Sequence, residues 1–264
     1  MKIAICVDQE GMPGVCNWNE VDKKVDIEYK PFNKIATDQV VAAINGAFDG
    51  GAKEVWVMDW HWTARNIDPE KMPNGVVLCR GWSGQPQGLI DNTFDGVAFI
   101  GYHSEWGSPA NPLSHTIRDK LDFVKLDGQI VGEFEKDSRM TSCYGIPTIL
   151  LAGDEGLADR YKDANFVTVA TTKGVGDSVV MIKTIDECKA ALRDGMKQAV
   201  KSIRVKNSGK IDFGGKVELQ IKFRKHQNAH KNSFYPGAEK IDSQTVKLYC
   251  ANYYEVMRAC MFMI

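Results

Sequence analysis

The chain repeats one feature that few folds accommodate: short runs apolar at nearly every position, separated by stretches of helical periodicity. Residues 2–7 (KIAICV), 54–58 (EVWVM), 96–100 (GVAFI), 147–152 (PTILLA) and 166–170 (FVTVA) are such runs. A strand of this kind is buried on both faces, as in a parallel sheet covered by helices. Residues 35–48 place Ile35, Val40, Val41, Ile44 and Phe48 on one helical face, and Gly50-Gly51 closes the segment. Residues 133–144 read as a helix ending before Gly145 and Pro147. Thr184-x-x-Glu187 is a capping box that opens a helix bearing Ile185, Cys188, Leu192, Ala199 and Ile203. This alternation predicts an α/β fold with a mainly parallel central sheet flanked by helices.

Other segments are antiparallel in character. Residues 122–126, the pair Asp127-Gly128 and residues 129–131 form a hairpin signature. Residues 216–223 alternate Val217, Leu219, Ile221 and Phe223 with polar positions, residues 245–249 read similarly, and Asn252-x-x-Glu255 caps a last helix. The fold class is therefore α/β with an additional antiparallel hairpin and a C-terminal α+β portion. With 264 residues the chain suits one domain, 1–264, whose best candidate for a subdomain boundary is the polar stretch 206–215.

Bulk properties narrow the function. A net charge of -1 supplies no basic field, so nucleic acid is not expected as a partner. No stretch approaches the roughly 20 apolar residues of a membrane span, and the apolar N-terminal run is too short for a signal peptide. The seven cysteines are scattered without a CxxC pair and read as reduced thiols, which places the protein in the cytoplasm.

The chemistry-bearing residues cluster at strand ends. The first strand ends in Val7-Asp8-Gln9-Glu10-Gly11, the second in Asp59-Trp60-His61 and the third in Gly101-Tyr102-His103. Extended backbone from Asp8 to Glu10 would turn both carboxylates to one point, and Gly11 would permit a tight turn. Ligands of parallel sheets collect beyond the carboxyl ends of the strands. Imidazole and carboxylate together suit zinc or a related divalent ion. Glu133 follows the hairpin at the start of a helix, where its charge also complements the helix dipole. His115, in the polar loop Leu113-Ser114-His115-Thr116, is the candidate acid/base. Each of these has a purely structural alternative, and DxE alone is a weak signal; the set points to a divalent-metal site. With one carboxylate bridging, five ligands can hold two ions about 3.5–4 Å apart. Trp106, close after His103, is expected to wall the pocket. Residues 171–176 (TTKGVG) lack a phosphate-loop pattern, and Lys173 reads as a surface residue. Residues 226–230 (HQNAH) lack the Glu of a zincin motif and read as exposed loop.

These motifs, in this order, resemble those of the bacterial zinc-dependent D-aminopeptidases of the DppA type. Ala152-Gly153-Asp154 and Tyr235-Pro236-Gly237-Ala238-Glu239 resemble later landmarks of that family. The resemblance implies that Asp8 bridges two zinc ions, with Glu10 and His61 on one ion and His103 and Glu133 on the other. His115 would act beside them. The implied activity is hydrolysis of an N-terminal residue, D-alanine for example, from a short peptide. The implied assembly is a homo-oligomer, a decamer enclosing a chamber. The chain departs from the family pattern at Trp60 and Trp62 around His61, at the bulky Glu105-Trp106-Gly107, and at Glu135-Lys136-Asp137, where an apolar, glycine-containing stretch ending in Asn is typical. These departures bear on substrate choice. Two rival functions stay open at the level of sequence: a dinuclear hydrolase of another amide or a phosphoester, and a non-catalytic peptide-binding protein.

Overall fold

The computed structural model describes residues 1–203 and 210–264. In chain order its main elements are β1 (Lys2–Val7), α1 (Asp26–Asp49), β2 (Glu54–Asp59), β3 (Val76–Cys79), β4 (Gly96–Tyr102), β5 (Leu121–Leu126), β6 (Gln129–Val131), α2 (Glu133–Cys143) and β7 (Thr148–Asp154). There follow α3 (Glu155–Arg160), β8 (Val167–Val175), β9 (Val179–Met181), α4 (Ile185–Ser202), β10 (Val217–Phe223), α5 (His226–Asn232), β11 (Ala238–Lys240), β12 (Thr245–Cys250) and α6 (Tyr253–Met263).

Seven strands form one sheet in the order β3-β2-β1-β4-β7-β8-β9. All its pairings are parallel except β8 with β9. From β1 the chain lays β2 and β3 to one side, then returns to lay β4, β7 and β8 on the other. The order therefore reverses between β1 and β4, and a crevice opens beyond their carboxyl ends. The apolar runs are explained by burial on both faces. Ile3, Ile5 and Val7 of β1 pack with α1 and α4, whereas Ala4 and Cys6 face the opposite core with Phe99, Leu121 and Phe134.

That second core is closed by a five-stranded antiparallel sheet in the order β11-β12-β10-β5-β6. The mid-chain hairpin and the C-terminal portion, read from the sequence as separate additions, are thus one sheet, with β5 paired to β10. The hairpin turns on Asp127 and Gly128 at φ 51° and 81°, the left-handed values its sequence demanded. Asn252 and Thr184 cap α6 and α4 as expected.

Other local readings change. Helix α1 begins at Asp26 rather than near Ile35 and continues through Pro31, the residue that hid its first turns. Residues 226–230 belong to helix α5 and are not loop; His226 and His230 are exposed on it. Of the stretch 206–215, residues 206–209 lie outside the described residues. The seven cysteines are free thiols, and among the described residues no helix is long and apolar enough to cross a membrane.

Candidate metal centre

Beyond the ends of β1, β2 and β4 the structure brings together Asp8, Glu10, His61, His103, His115 and Glu133, all buried but Glu133, whose side chain keeps 19% exposure. Asp8 and Glu10 converge by a route the sequence did not suggest. The chain leaves the extended conformation at Asp8, and a turn (Met12 N–H to Gln9 O, 3.0 Å) carries Glu10 back toward it. Gly11 is needed for close approach: its N–H donates to Gly101 O at 2.8 Å, and a Cβ there would lie 1.9 Å from the Tyr102 carbonyl oxygen. Gly101 meets the same crowding, with a φ of +76° and an added Cβ at 2.1 Å from Asp8 O.

Each histidine is aimed by its second ring nitrogen. His61 Nε2–H donates to Val21 O at 2.9 Å, His103 Nδ1–H to Ser104 O at 2.9 Å, and His115 Nδ1–H to Leu113 O at 2.9 Å. A carbonyl only accepts, so in the neutral ring the remaining nitrogen presents a lone pair to the centre. Those nitrogens face carboxylates. His61 Nδ1 is 3.1 Å from both Asp8 Oδ1 and Glu10 Oε2. His103 Nε2 is 3.5 Å from Asp8 Oδ2 and 3.4 Å from Glu133 Oε1. His115 Nε2 is 3.3 Å from Glu133 Oε1 and 4.0 Å from Glu10 Oε1.

Lone pair against lone pair in the interior is unfavourable unless a cation or protons lie between them. Asp8 Oδ2, Glu10 Oε2 and His103 Nε2 are buried without a hydrogen-bond partner among the described residues. In the metal-free chain, protons meet the need. Burial disfavours the charge on His61, yet Glu10 and Asp8 hold it well above the ordinary histidine value. His103 is likewise pushed up to about 10 against burial, chiefly by Glu133. Burial works against the Glu133 carboxylate too, but His103 and His115 bring it down to about 2. His115 moves the other way, lowered by burial and by the His103 ring stacked on it at 4.3 Å. Two donor sets each span no more than 4.8 Å: Asp8, Glu10 and His103, and His103, His115 and Glu133. The donor chemistry fits divalent metal.

Buried carboxylates hold the loops. Asp59 accepts from the backbone N–H of Asn66 and Ile67 and from Asn66 Nδ2, which also donates to His61 O at 2.7 Å. Asp154 accepts from Ser104 N at 2.5 Å and Ser104 Oγ at 2.8 Å, fixing the residue after His103. Asn111 Nδ2 donates to Glu10 O at 2.9 Å.

The centre opens into a cleft of about 600 Å³. Trp18, Trp60, Trp62 and Trp82 line it; Trp106, expected there, does not. Trp18 meets His115 edge to face at 5.0 Å and was not anticipated. The departure at 135–137 divides in two. Glu135 caps Gly132 N–H at 2.8 Å and pairs with Arg160 at 3.0 Å, whereas Lys136 and Asp137 line the cleft. Their i+3 and i+4 spacing from Glu133 was the signal that could have found them. Lys173 pairs with Glu155 at 2.6 Å and is half-exposed, as expected of a surface lysine.

The chain is similar over its whole length to known D-aminopeptidases. A curated D-aminopeptidase of Bacillus subtilis (strain 168) is 26% identical over 272 residues, covering 100% of this chain and 96% of that protein. The solved structure described as "Zn-dependent D-aminopeptidase DppA from Bacillus subtilis, a self-compartmentalizing protease" superposes with a TM-score of 0.90 at 26% identity, covering 100% of this chain and 96% of that one. The family model of the M55 peptidases, described as D-aminopeptidase, matches residues 1–262, and the chain belongs to that family.

Proposed function

We propose that residues 1–264 act as a single metallopeptidase domain, an aminopeptidase that removes the N-terminal D-amino acid from short peptides. Asp8 would bridge two zinc ions, with Glu10 and His61 completing one set of ligands and His103 and Glu133 the other. The observation that carries this reading is the pair of oxygens on Asp8: Oδ1 faces His61 and Oδ2 faces His103. A carboxylate disposed that way is suited to two ions. When bound, the ions supply an activated water and polarise the scissile carbonyl.

The chain's own residues supply the rest. His115, neutral and with its Nε2 turned to the centre, takes and returns a proton during hydrolysis. The backbone carbonyls behind the three histidines keep their free lone pairs directed inward. The tryptophan-lined cleft seats the peptide. The solved relative is a self-compartmentalizing protease, and we place this chain likewise in a homo-oligomer, a decamer, in the cytoplasm.

The test sets zinc-loaded protein against D-Ala-D-Ala, L-Ala-L-Ala and a phosphoester such as p-nitrophenyl phosphate. Release of D-alanine, with slower turnover of the L-peptide, is expected. Turnover of the phosphoester alone would overturn the peptidase reading. Binding of D-Ala-D-Ala without release of free alanine would make the chain a binding protein.

A further inference from the structure

Helix α2 turns Glu133, Lys136, Asp137 and Met140 to the cleft, the i, i+3, i+4, i+7 face of one helix. Glu133 belongs to the metal centre; Lys136 and Asp137 have no part in it. Lys136 Nζ lies 2.5 Å from Asp137 Oδ1, and the other carboxylate oxygen accepts from Tyr102 O–H at 3.0 Å. The backbone of Lys136 is fixed as well, its carbonyl accepting from Tyr253 O–H at 2.7 Å. Burial weighs against the ammonium, yet Asp137 holds it above the ordinary lysine value. An ammonium has three donors. Asp137 is the hydrogen-bond partner of this one among the described residues, and the side chain, 17% exposed, borders the cleft. The remaining donors are met by water or by oxygen acceptors of a molecule that fills the cleft.

Spacing identifies the acceptor. Three residues of α-helix rise about 4.5 Å, and one residue of extended peptide spans roughly 3.5 Å. The two spans are similar, so a peptide with its scissile carbonyl at the metal centre and one further residue along the Glu133–Lys136 face of the cleft suits the Lys136 ammonium with a carboxylate. We propose that Lys136 is a substrate-positioning residue that takes the terminal carboxylate of a dipeptide, with Asp137 and Tyr102 holding its ammonium in place. This rests on the peptidase reading and narrows its substrate class to dipeptides with a free carboxylate.

The test is binding of two non-hydrolysable probes to the zinc-loaded protein by calorimetry: the D-Ala-D-Ala analogue with a reduced CH₂–NH linkage, as the free acid and as the C-terminal amide. The free acid is expected to bind about tenfold or more tighter, the ordinary advantage of a charge-assisted hydrogen bond. Lys136→Gln should bring the acid down to the level of the amide, and Lys136→Arg should restore part of the difference. Equal binding of acid and amide by the wild type would overturn the proposal without any variant. An undiminished acid preference in Lys136→Gln would do so too. Because neither probe turns over, the outcome is independent of whether D-Ala-D-Ala is hydrolysed.

Discussion

The three imidazoles at the centre are alike in construction: one ring nitrogen donates to a backbone carbonyl, and the other faces a carboxylate. Loss of such a partner costs a metal ligand roughly 10- to 100-fold in affinity. Removal of the ligand itself should cost more. His61→Ala and His103→Ala are each expected to lose zinc by more than that factor, measured by competition with a chromogenic chelator, while retaining the far-UV circular dichroism of the parent. The same geometry fixes the sign of the pH dependence. His103 carries its proton up to about 10 in the metal-free chain, and zinc requires the lone pair. Zinc binding at pH 8 should therefore release protons, and apparent affinity should rise with pH toward that value. Calorimetry in two buffers of different ionisation enthalpy reads the release; identical heats in both would contradict it.

At the scale of elements, the site depends on two strand ends brought closer than side chains allow. The Gly11 Cα approaches the Tyr102 carbonyl so closely that an added Cβ would lie 1.9 Å from its oxygen, a rigid backbone contact. Gly11→Ala should cost about 1–3 kcal/mol, the usual range for overpacking, seen as a lower urea midpoint, and should weaken zinc binding by displacing Glu10. The elements themselves were legible where local pattern decides them. The strands that flank the switch point are uniformly apolar because both faces are covered, and the capping residues Thr184 and Asn252 mark their helices. What was not legible depends on distant contact. The start of α1 was hidden by Pro31, the helical state of residues 226–230 had no apolar periodicity to announce it, and the pairing of β5 with β10 joins segments nearly 100 residues apart. The turn that brings Glu10 to Asp8 was invisible for the same reason: it is held by Gly101 on another strand.

In the whole molecule, two cores meet across the parallel sheet, and the candidate metal donors occupy the rim where its strand order reverses. The five ligand candidates were readable because that rim gathers residues that follow strands, whatever their separation in sequence. Trp60, Trp62 and Lys136 were singled out only as departures bearing on substrate choice; their place on the cleft wall, like that of Trp18 and Trp82, was not readable, because α2 and loops whose placement depends on packing assemble that wall. The cores do not include the donors, so the fold should outlast the metal. Chelation should leave secondary structure intact and lower the melting temperature, and zinc at a hundredfold excess over its Kd should return about 2.7 kcal/mol. Collapse of the far-UV signal on chelation would show instead that the ions hold the fold together.

In the proposed centre Asp8 joins two metal sites, one built on His61 and one on His103. An anomalous-difference map at the zinc edge, from crystals of the zinc-loaded protein, tests it most directly. Two peaks are expected, one on either side of the Asp8 carboxylate, the first beside His61 Nδ1 and the second beside His103 Nε2. A single peak, or none within coordination distance of both Asp8 and His61, would contradict it.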